Sequence, residues 1–137
     1  MALPSVGGGY QVTDGNTAEL TIGVQAAPQT ATTDATLTAA QFTGGLLVGS
    51  PGTSAAAYTL PTVTSLEAVV TNAKTNSTFR LTVINLGTSS GVITMTTNTG
   101  WTLVGKMTIP ITSTDGSSAT FLARKTGDSA WSLYRVS

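Results

Sequence analysis

Carboxylates are the residues in this chain best suited to acid–base or metal chemistry. A glycoside hydrolase needs two of them facing each other across a cleft, and a calcium loop needs a run of oxygen ligands at alternate positions. That calcium pattern does not occur, and three of the carboxylates adjoin glycine in turn-like sequence, where Asp commonly bonds to nearby backbone. We therefore expect no catalytic pair and no metal site among the six, which are Asp14, Glu19, Asp34, Glu67, Asp115 and Asp128.

Other common kinds of catalytic and cofactor site are excluded by composition. The chain contains no His and no Cys, whereas zinc, iron–sulfur and haem sites of the usual kinds need those ligands. Cys–His and Ser–His–Asp catalysis need the same side chains. The glycine triplet Gly7-Gly8-Gly9 lacks the Lys and the following helix of a phosphate-binding loop. The sequence therefore predicts a protein that is not an enzyme and needs no cofactor.

Charge is scarce and balanced. Only 9% of the 137 residues are charged, against about 25% in an average soluble domain. Six basic residues balance six acidic ones, so the positive field that nucleic acid needs is missing. Two interpretations stay open: a β surface solvated by Thr and Ser hydroxyls, or a surface covered by other subunits, since interface cores are depleted in charge.

Membrane and export segments are also not expected. Apolar runs such as Leu46-Leu47-Val48 are far shorter than the roughly 18 residues of a spanning helix. Residues 1–6 lack the basic and apolar regions of a signal peptide. We expect the chain to be made and folded in a cytoplasm, with neither membrane nor nucleic acid as partner.

Residues 1–17 form an extended arm or a frayed terminus. Gly7-Gly8-Gly9 and the turn signal Asp14-Gly15-Asn16 both oppose regular structure. An arm of this kind orders only on a partner surface, to which it would be held by apolar side chains. The candidate anchors for that contact are Leu3, Val6, Tyr10 and Val12.

A strand and a linker follow the arm. Residues 19–24 alternate polar and apolar side chains, which predicts a half-buried strand. Residues 26–33 are rich in Ala, Pro, Gln and Thr and have no period, which indicates a linker. We therefore divide the chain into an arm and linker, residues 1–33, and a compact domain, residues 34–137.

The compact domain is predicted to be all-β. About eight short strands occur at spacings near ten residues, which favours a jelly-roll-like sandwich. One short helix is expected at about 64–73, because Thr64 and Glu67 have the spacing of a capping box and apolar residues recur every three or four positions. A single helical turn is expected at 39–42. The predicted core comprises Leu37, Phe42, Leu47, Leu66, Val70, Phe79, Leu81, Val83, Ile93, Met95, Leu103, Phe121, Leu133 and at least one of Trp101 and Trp131.

Two groups of residues could bind a partner from this domain. Arg124 and Lys125 are adjacent cations, which form either a solvated strand end or a salt contact to an acidic surface. A separate cation, Arg80, either faces solvent between two apolar neighbours or pairs with a carboxylate across a subunit boundary, and we expect the first. The aromatic residues Trp101, Trp131, Tyr58 and Tyr134 are either core residues or a platform for stacking sugars.

The order of motifs in residues 34–137 resembles a β module of tailed-bacteriophage virion proteins. The resemblance lies in the sequence of Leu37-Thr38-Ala39-Ala40-Gln41-Phe42-Thr43-Gly44-Gly45-Leu46, Tyr58-Thr59-Leu60-Pro61-Thr62, a short helix, Phe79-Arg80-Leu81-Thr82-Val83-Ile84-Asn85, Trp101-Thr102-Leu103 and Trp131-Ser132-Leu133-Tyr134-Arg135. Each motif is loose by itself, and their order carries the resemblance. Modules of this kind occur in capsid decoration (cement) proteins and in head or tail fibre proteins.

The resemblance implies a homotrimer with a jelly-roll-like fold. It further implies a structural virion protein that sits on the outer surface of a phage head, binds the major capsid protein and stabilises the shell. The alternative within the same resemblance is a fibre or receptor-binding module that holds host glycans. The first 33 residues lie outside the resemblance, so the role of the arm rests on its own sequence.

Overall fold

The computed structural model describes residues 22–113 and 117–137. Within these ranges the chain forms ten strands and two short helices. In chain order they are β1 (Gln29–Ala31), β2 (Ala35–Thr36), α1 (Ala39–Thr43), β3 (Leu46–Gly49), β4 (Ala56–Thr59), α2 (Val63–Val69), β5 (Thr78–Asn85), β6 (Ile93–Thr96), β7 (Trp101–Val104), β8 (Thr108–Ile109), β9 (Ser118–Gly127) and β10 (Ala130–Arg135).

The strands form two sheets, which confirms the predicted all-β sandwich. One sheet has six strands in the order β1-β3-β5-β9-β10-β7, and the other has four in the order β2-β4-β6-β8. Side chains from both sheets meet in one hydrophobic core. Strand β5 shows how the sequence produces this arrangement, because its alternate residues Leu81 and Val83 are buried while Arg80 faces solvent.

The connectivity differs from that of a jelly roll, whose neighbouring strands are antiparallel. Strands β1 to β6 alternate between the two sheets, and each lies parallel to the preceding strand of its own sheet. The first half of the domain therefore winds as a coil, with α1 and α2 in its returns. Strands β9 and β8 then run antiparallel to β5 and β6. Period-two alternation reports which face of a strand is buried but not the direction of its neighbour, so the sequence could not distinguish the two topologies.

Most of the predicted core is confirmed. Val70, Phe79 and Leu103 are only partly buried and pack against its edge, while the other predicted positions, including both tryptophans, are buried. The sequence analysis left several buried residues out of the predicted core, and these sit in short strands or near Pro61. These are Tyr58, Leu60, Val63 and Ile109, each at most 1% exposed.

Helix α1 begins with a capping box. The Thr38 hydroxyl accepts a hydrogen bond from the Gln41 N–H at 3.1 Å, and the Gln41 side chain accepts one from the Thr38 N–H at 2.8 Å. The predicted turn at 39–42 is therefore confirmed. Gln41 also donates to the Thr30 carbonyl, so the same side chain links α1 to the edge strand β1.

Helix α2 is shorter and starts earlier than predicted. Thr62 is its N-cap and accepts from the Ser65 N–H at 3.2 Å, and the helix ends at Val69. The predicted capping box at Thr64 and Glu67 was wrong. Because Thr62 caps the helix, Thr64 and Glu67 both lie within it, and the Glu67 carboxylate bonds to side chains of β9 and β10.

The approach to the domain also differs from the prediction. Residues 22–24 of the predicted strand 19–24 are not in a strand, and residues 19–21 lie outside the described ranges. Within the predicted linker 26–33, Gln29–Ala31 forms β1 and pairs in parallel with β3. The first strand of the sheet thus begins at Gln29, before the boundary that we placed at residue 33. An edge strand can form through backbone hydrogen bonds to its neighbour even when its side chains have no hydrophobic period.

Asn85, at the end of β5, ties together the loops at that end of the sandwich. It is fully buried. Its amide donates to the carbonyls of Gly91, Ile109 and Pro110 at 2.9, 3.0 and 2.8 Å. Its side-chain oxygen accepts from the Gly87 N–H at 2.7 Å. One side chain therefore binds the backbone of the β5–β6 loop and of the end of β8.

Candidate functional site

The predicted contact residues fall into two groups. The arm anchors Leu3, Val6, Tyr10 and Val12 lie outside the described residues. Arg124 and Lys125 are described, and both bind partners within their own chain. Successive residues of β9 point to opposite faces of the sheet, so the two cations enter separate networks.

Lys125 belongs to a compact charged cluster beside the core. Its ammonium forms an ion pair with the Glu67 carboxylate, and the two side chains are 11% and 26% exposed. The Trp131 indole N–H donates to the same carboxylate at 3.2 Å, and the ammonium lies 5.9 Å from the Trp131 ring centroid. The hydrogen bond from Lys125 holds the pKa of Glu67 below its usual value. The cluster leaves Lys125 little capacity for an external salt contact.

Arg124 forms a second network on the other face of β9. Its guanidinium donates twice to the Asn76 side-chain oxygen, at 3.1 and 2.6 Å, and once to the Tyr134 hydroxyl at 3.4 Å. The hydrogen bond from Arg124 also lowers the pKa of the Tyr134 phenol. Asn76 has a left-handed backbone, with φ of 75°. Arg124 is therefore a brace for the turn before β5.

Three of the four aromatic candidates are buried, and the fourth, Tyr134, is half-buried and bonds to Arg124, so the four do not form a sugar-stacking platform. Trp101, Trp131 and Tyr58 are 8%, 1% and 0% exposed. The two tryptophan rings lie 6.1 Å apart, and Phe42 packs edge-on against Trp101 at 5.2 Å. Because strands β7 and β10 pair in register at these residues, the rings share the inner face of the sheet. The hypothesis of an exposed platform built from these rings was wrong.

The described carboxylates are dispersed. Asp34 accepts a hydrogen bond from the Ala57 N–H at 2.7 Å, which links the turn before β2 to β4. Glu67 is neutralised by Lys125, and Asp128 lies exposed in the β9–β10 turn. Within residues 22–113 and 117–137, no three acidic residues come together in a group that could hold a metal ion.

A cavity of about 260 Å³ opens beside Trp131 at the C-terminal end of α2, and we call it the Trp131 cavity. Its apolar lining is Val70, Ala73, Phe79 and Trp131, and its polar lining is Thr43, Asn72, Ser77 and Thr78. All eight residues are uncharged. Drug-sized ligand sites occupy roughly 300 Å³ or more, while an apolar cavity of about 150 Å³ can hold benzene. The Trp131 cavity thus fits one ring or one large side chain.

The chain enters the domain next to this cavity through residues 22–28, the N-terminal approach. These residues are exposed and outside regular structure. The Gln25 amide donates to the Gly44 carbonyl at 2.7 Å, adjacent to Thr43 in the cavity lining. Ile22 is 79% exposed and Val24 fully so. An exposed apolar segment therefore lies close to an open apolar cavity, which the sequence could indicate only through its alternation at 19–24.

Comparisons of the chain with known protein families, with curated proteins and with solved structures found no match. In the described part of the chain, neither helix has the length and apolar character needed to cross a bilayer.

Proposed function

We propose that this chain is a structural virion protein, a capsid decoration or cement protein that binds the outer surface of a tailed-phage head. It acts as a homotrimer and stabilises the shell through contacts with the major capsid protein. It is made in the host cytoplasm and performs no catalysis. The motif order of residues 34–137 motivates the proposal.

The observation that carries the proposal is the exposed apolar N-terminal approach on a domain with little free charge. Ile22 and Val24 are solvent-exposed in the isolated chain, and burying each such side chain is worth about 1.5–3 kcal/mol. The partly buried Lys125–Glu67 pair removes two of the few charges from recognition. A surface of this kind favours attachment to other protein surfaces by apolar contact and backbone hydrogen bonds.

An arm attached to each subunit suits such a role. Ordering an arm costs about 1–2 kcal/mol per residue. On binding, the anchors Leu3, Val6 and Tyr10 must offset that cost together with strand-type backbone hydrogen bonds to the partner. Three arms on one trimer raise the effective concentration of the second and third contacts. Strong attachment can therefore arise from individually weak segments.

Retention on heads tests the arm. Deleting residues 1–17 should abolish co-sedimentation with heads of the source phage, while the far-UV spectrum and melting temperature stay those of the full chain. The matched control is the substitution Asp128→Asn, an exposed turn position, which should leave retention unchanged. Equal retention of the truncated protein would show that the arm is not the attachment.

Copy number separates decoration from the fibre alternative. A cement protein occurs in hundreds of copies per particle and a fibre in few, so quantitative mass spectrometry of purified virions distinguishes them. A low copy number together with specific glycan binding would favour the receptor-binding module. Absence of the protein from virions would overturn both.

A further inference from the structure

The Trp131 cavity and the N-terminal approach are complementary and adjacent. The cavity has an apolar wall formed by Val70, Ala73 and Phe79, and its lining is uncharged. The approach carries two exposed aliphatic side chains, Ile22 and Val24. The apolar residues that line the cavity belong to the core or pack against its edge, whereas Ile22 and Val24 are exposed and lie outside the core.

We propose that the Trp131 cavity receives an aliphatic side chain of residues 22–24 from a second copy of this chain, and that this exchange holds the oligomer together. The inference rests on the proposed function only for the expectation of three copies.

Size and polarity favour this occupant over the alternatives. At about 260 Å³ the cavity exceeds the roughly 150 Å³ that holds benzene, and it falls below the range for drug-sized ligands. An uncharged lining matches an aliphatic residue. Thr43, Asn72 and Ser77 add hydroxyl and amide groups to the lining, which can bond to the backbone of an incoming extended segment.

The position of Gln25 explains why the donor is a second copy. Its hydrogen bond to Gly44 holds the chain beside the cavity, yet Val24, the very next residue, is fully exposed. The side chains of Ile22 and Val24 therefore do not fill the cavity of their own chain. Because the donor segment and the receiving cavity are different surfaces, the contact is head-to-tail and closes into a ring when the rotation allows.

Cysteine cross-linking tests the contact directly, because the natural chain has no Cys. In the full-length protein, Val24→Cys with Thr78→Cys places one thiol on the approach and one on the exposed polar lining. Mild oxidation should yield covalent species up to the full oligomer on a non-reducing gel. The matched control, Val24→Cys with Ser90→Cys, moves the second thiol to the loop after the opposite end of β5 and should yield at least tenfold less.

A disulfide confined to the monomer would overturn the exchange, because it would place the segment in its own cavity. The double variant Ile22→Ser, Val24→Ser gives a second measurement by light scattering. Its dissociation constant should rise at least about tenfold, since one buried aliphatic side chain contributes about 10- to 100-fold. An unchanged oligomer, or a wild-type monomer at micromolar concentration, would also refute the inference. Cross-linked oligomers that do not bind heads would instead refute the proposed function alone.

Discussion

Replacing Asn85 with Ala should be among the most destabilising single changes in this domain. The side chain is fully buried and makes four hydrogen bonds, to the backbone of Gly87, Gly91, Ile109 and Pro110. Each hydrogen bond contributes about 1 kcal/mol net, and leaving buried partners unsatisfied raises the cost. We expect a loss of about 3–5 kcal/mol, a large part of the roughly 5–15 kcal/mol of a typical domain.

The matched control is Asn98→Ala. Asn98 is half-buried and makes two hydrogen bonds, to the Leu60 carbonyl at 2.9 Å and from the Thr99 N–H at 2.7 Å. Its removal should cost about 1 kcal/mol, because water can replace part of what is lost. The comparison isolates burial and the number of satisfied partners, since both variants lose the same atoms.

Urea unfolding of both variants measures the difference. The protein concentration must be equal, because oligomerisation adds to apparent stability. An unchanged slope with a lower midpoint indicates a loss of native stability. The reasoning would be refuted if Asn85→Ala cost no more than Asn98→Ala. A further variant, Asn85→Asp, keeps the shape but turns the donor into an acceptor, so its destabilisation should shrink as the pH falls and the carboxyl can donate again.

Three further substitutions test other features of the fold. Glu67→Gln should lower the free energy of unfolding by about 1–2 kcal/mol at pH 7, because it leaves the Lys125 ammonium without its counter-charge. The pKa of Glu67 is lowered in the fold, so the ion pair stabilises the protein fully at pH values above the pKa of Glu67 in the unfolded chain. The difference between wild type and variant in urea unfolding should therefore close as the pH falls through the pKa of Glu67 in the folded protein. Tyr58→Phe removes the hydroxyl that donates to the Thr32 carbonyl at 2.8 Å and should cost about 1–2 kcal/mol in urea unfolding, whereas an unchanged midpoint would show that this bond is dispensable. Gly87→Ala would place a Cβ 2.1 Å from the backbone oxygen of Gly91. The variant's melting temperature should therefore fall by several degrees, which corresponds to a loss of at least about 1 kcal/mol in the free energy of unfolding. An unchanged melting temperature would show that the loop shifts without cost.

Patterns among neighbouring residues in the sequence predicted the elements that depend mainly on those residues. Strand β5, which spans Thr78–Asn85, is one of the short strands that alternation predicted, because its alternation is long and its apolar residues face one core. The turn at α1 was also predicted, since the glycines after it stop the chain. By contrast, β1 has no hydrophobic period and forms because the β3 backbone is available beside it.

The candidate site could be predicted only in part. The sequence singled out Arg124 and Lys125 as candidate contacts for a partner, but it could not show that Asn76 and Glu67 already bind them. Those partners are 58 and 48 residues away along the chain. Pairings over such separations depend on strand register, which has no local signature.

Composition and periodicity by themselves determined the class of this protein: a charge-poor all-β domain without the His and Cys on which many catalytic and metal sites depend. Tertiary structure alone decided that the first six strands wind in parallel, that the tryptophans face inward and that a cavity opens beside the N-terminal approach. The physical reason is that the identity of the side chains determines which face of a strand is buried. Which strands pair, in which direction, and where a cavity remains depend on backbone hydrogen bonds between strands that are distant in sequence.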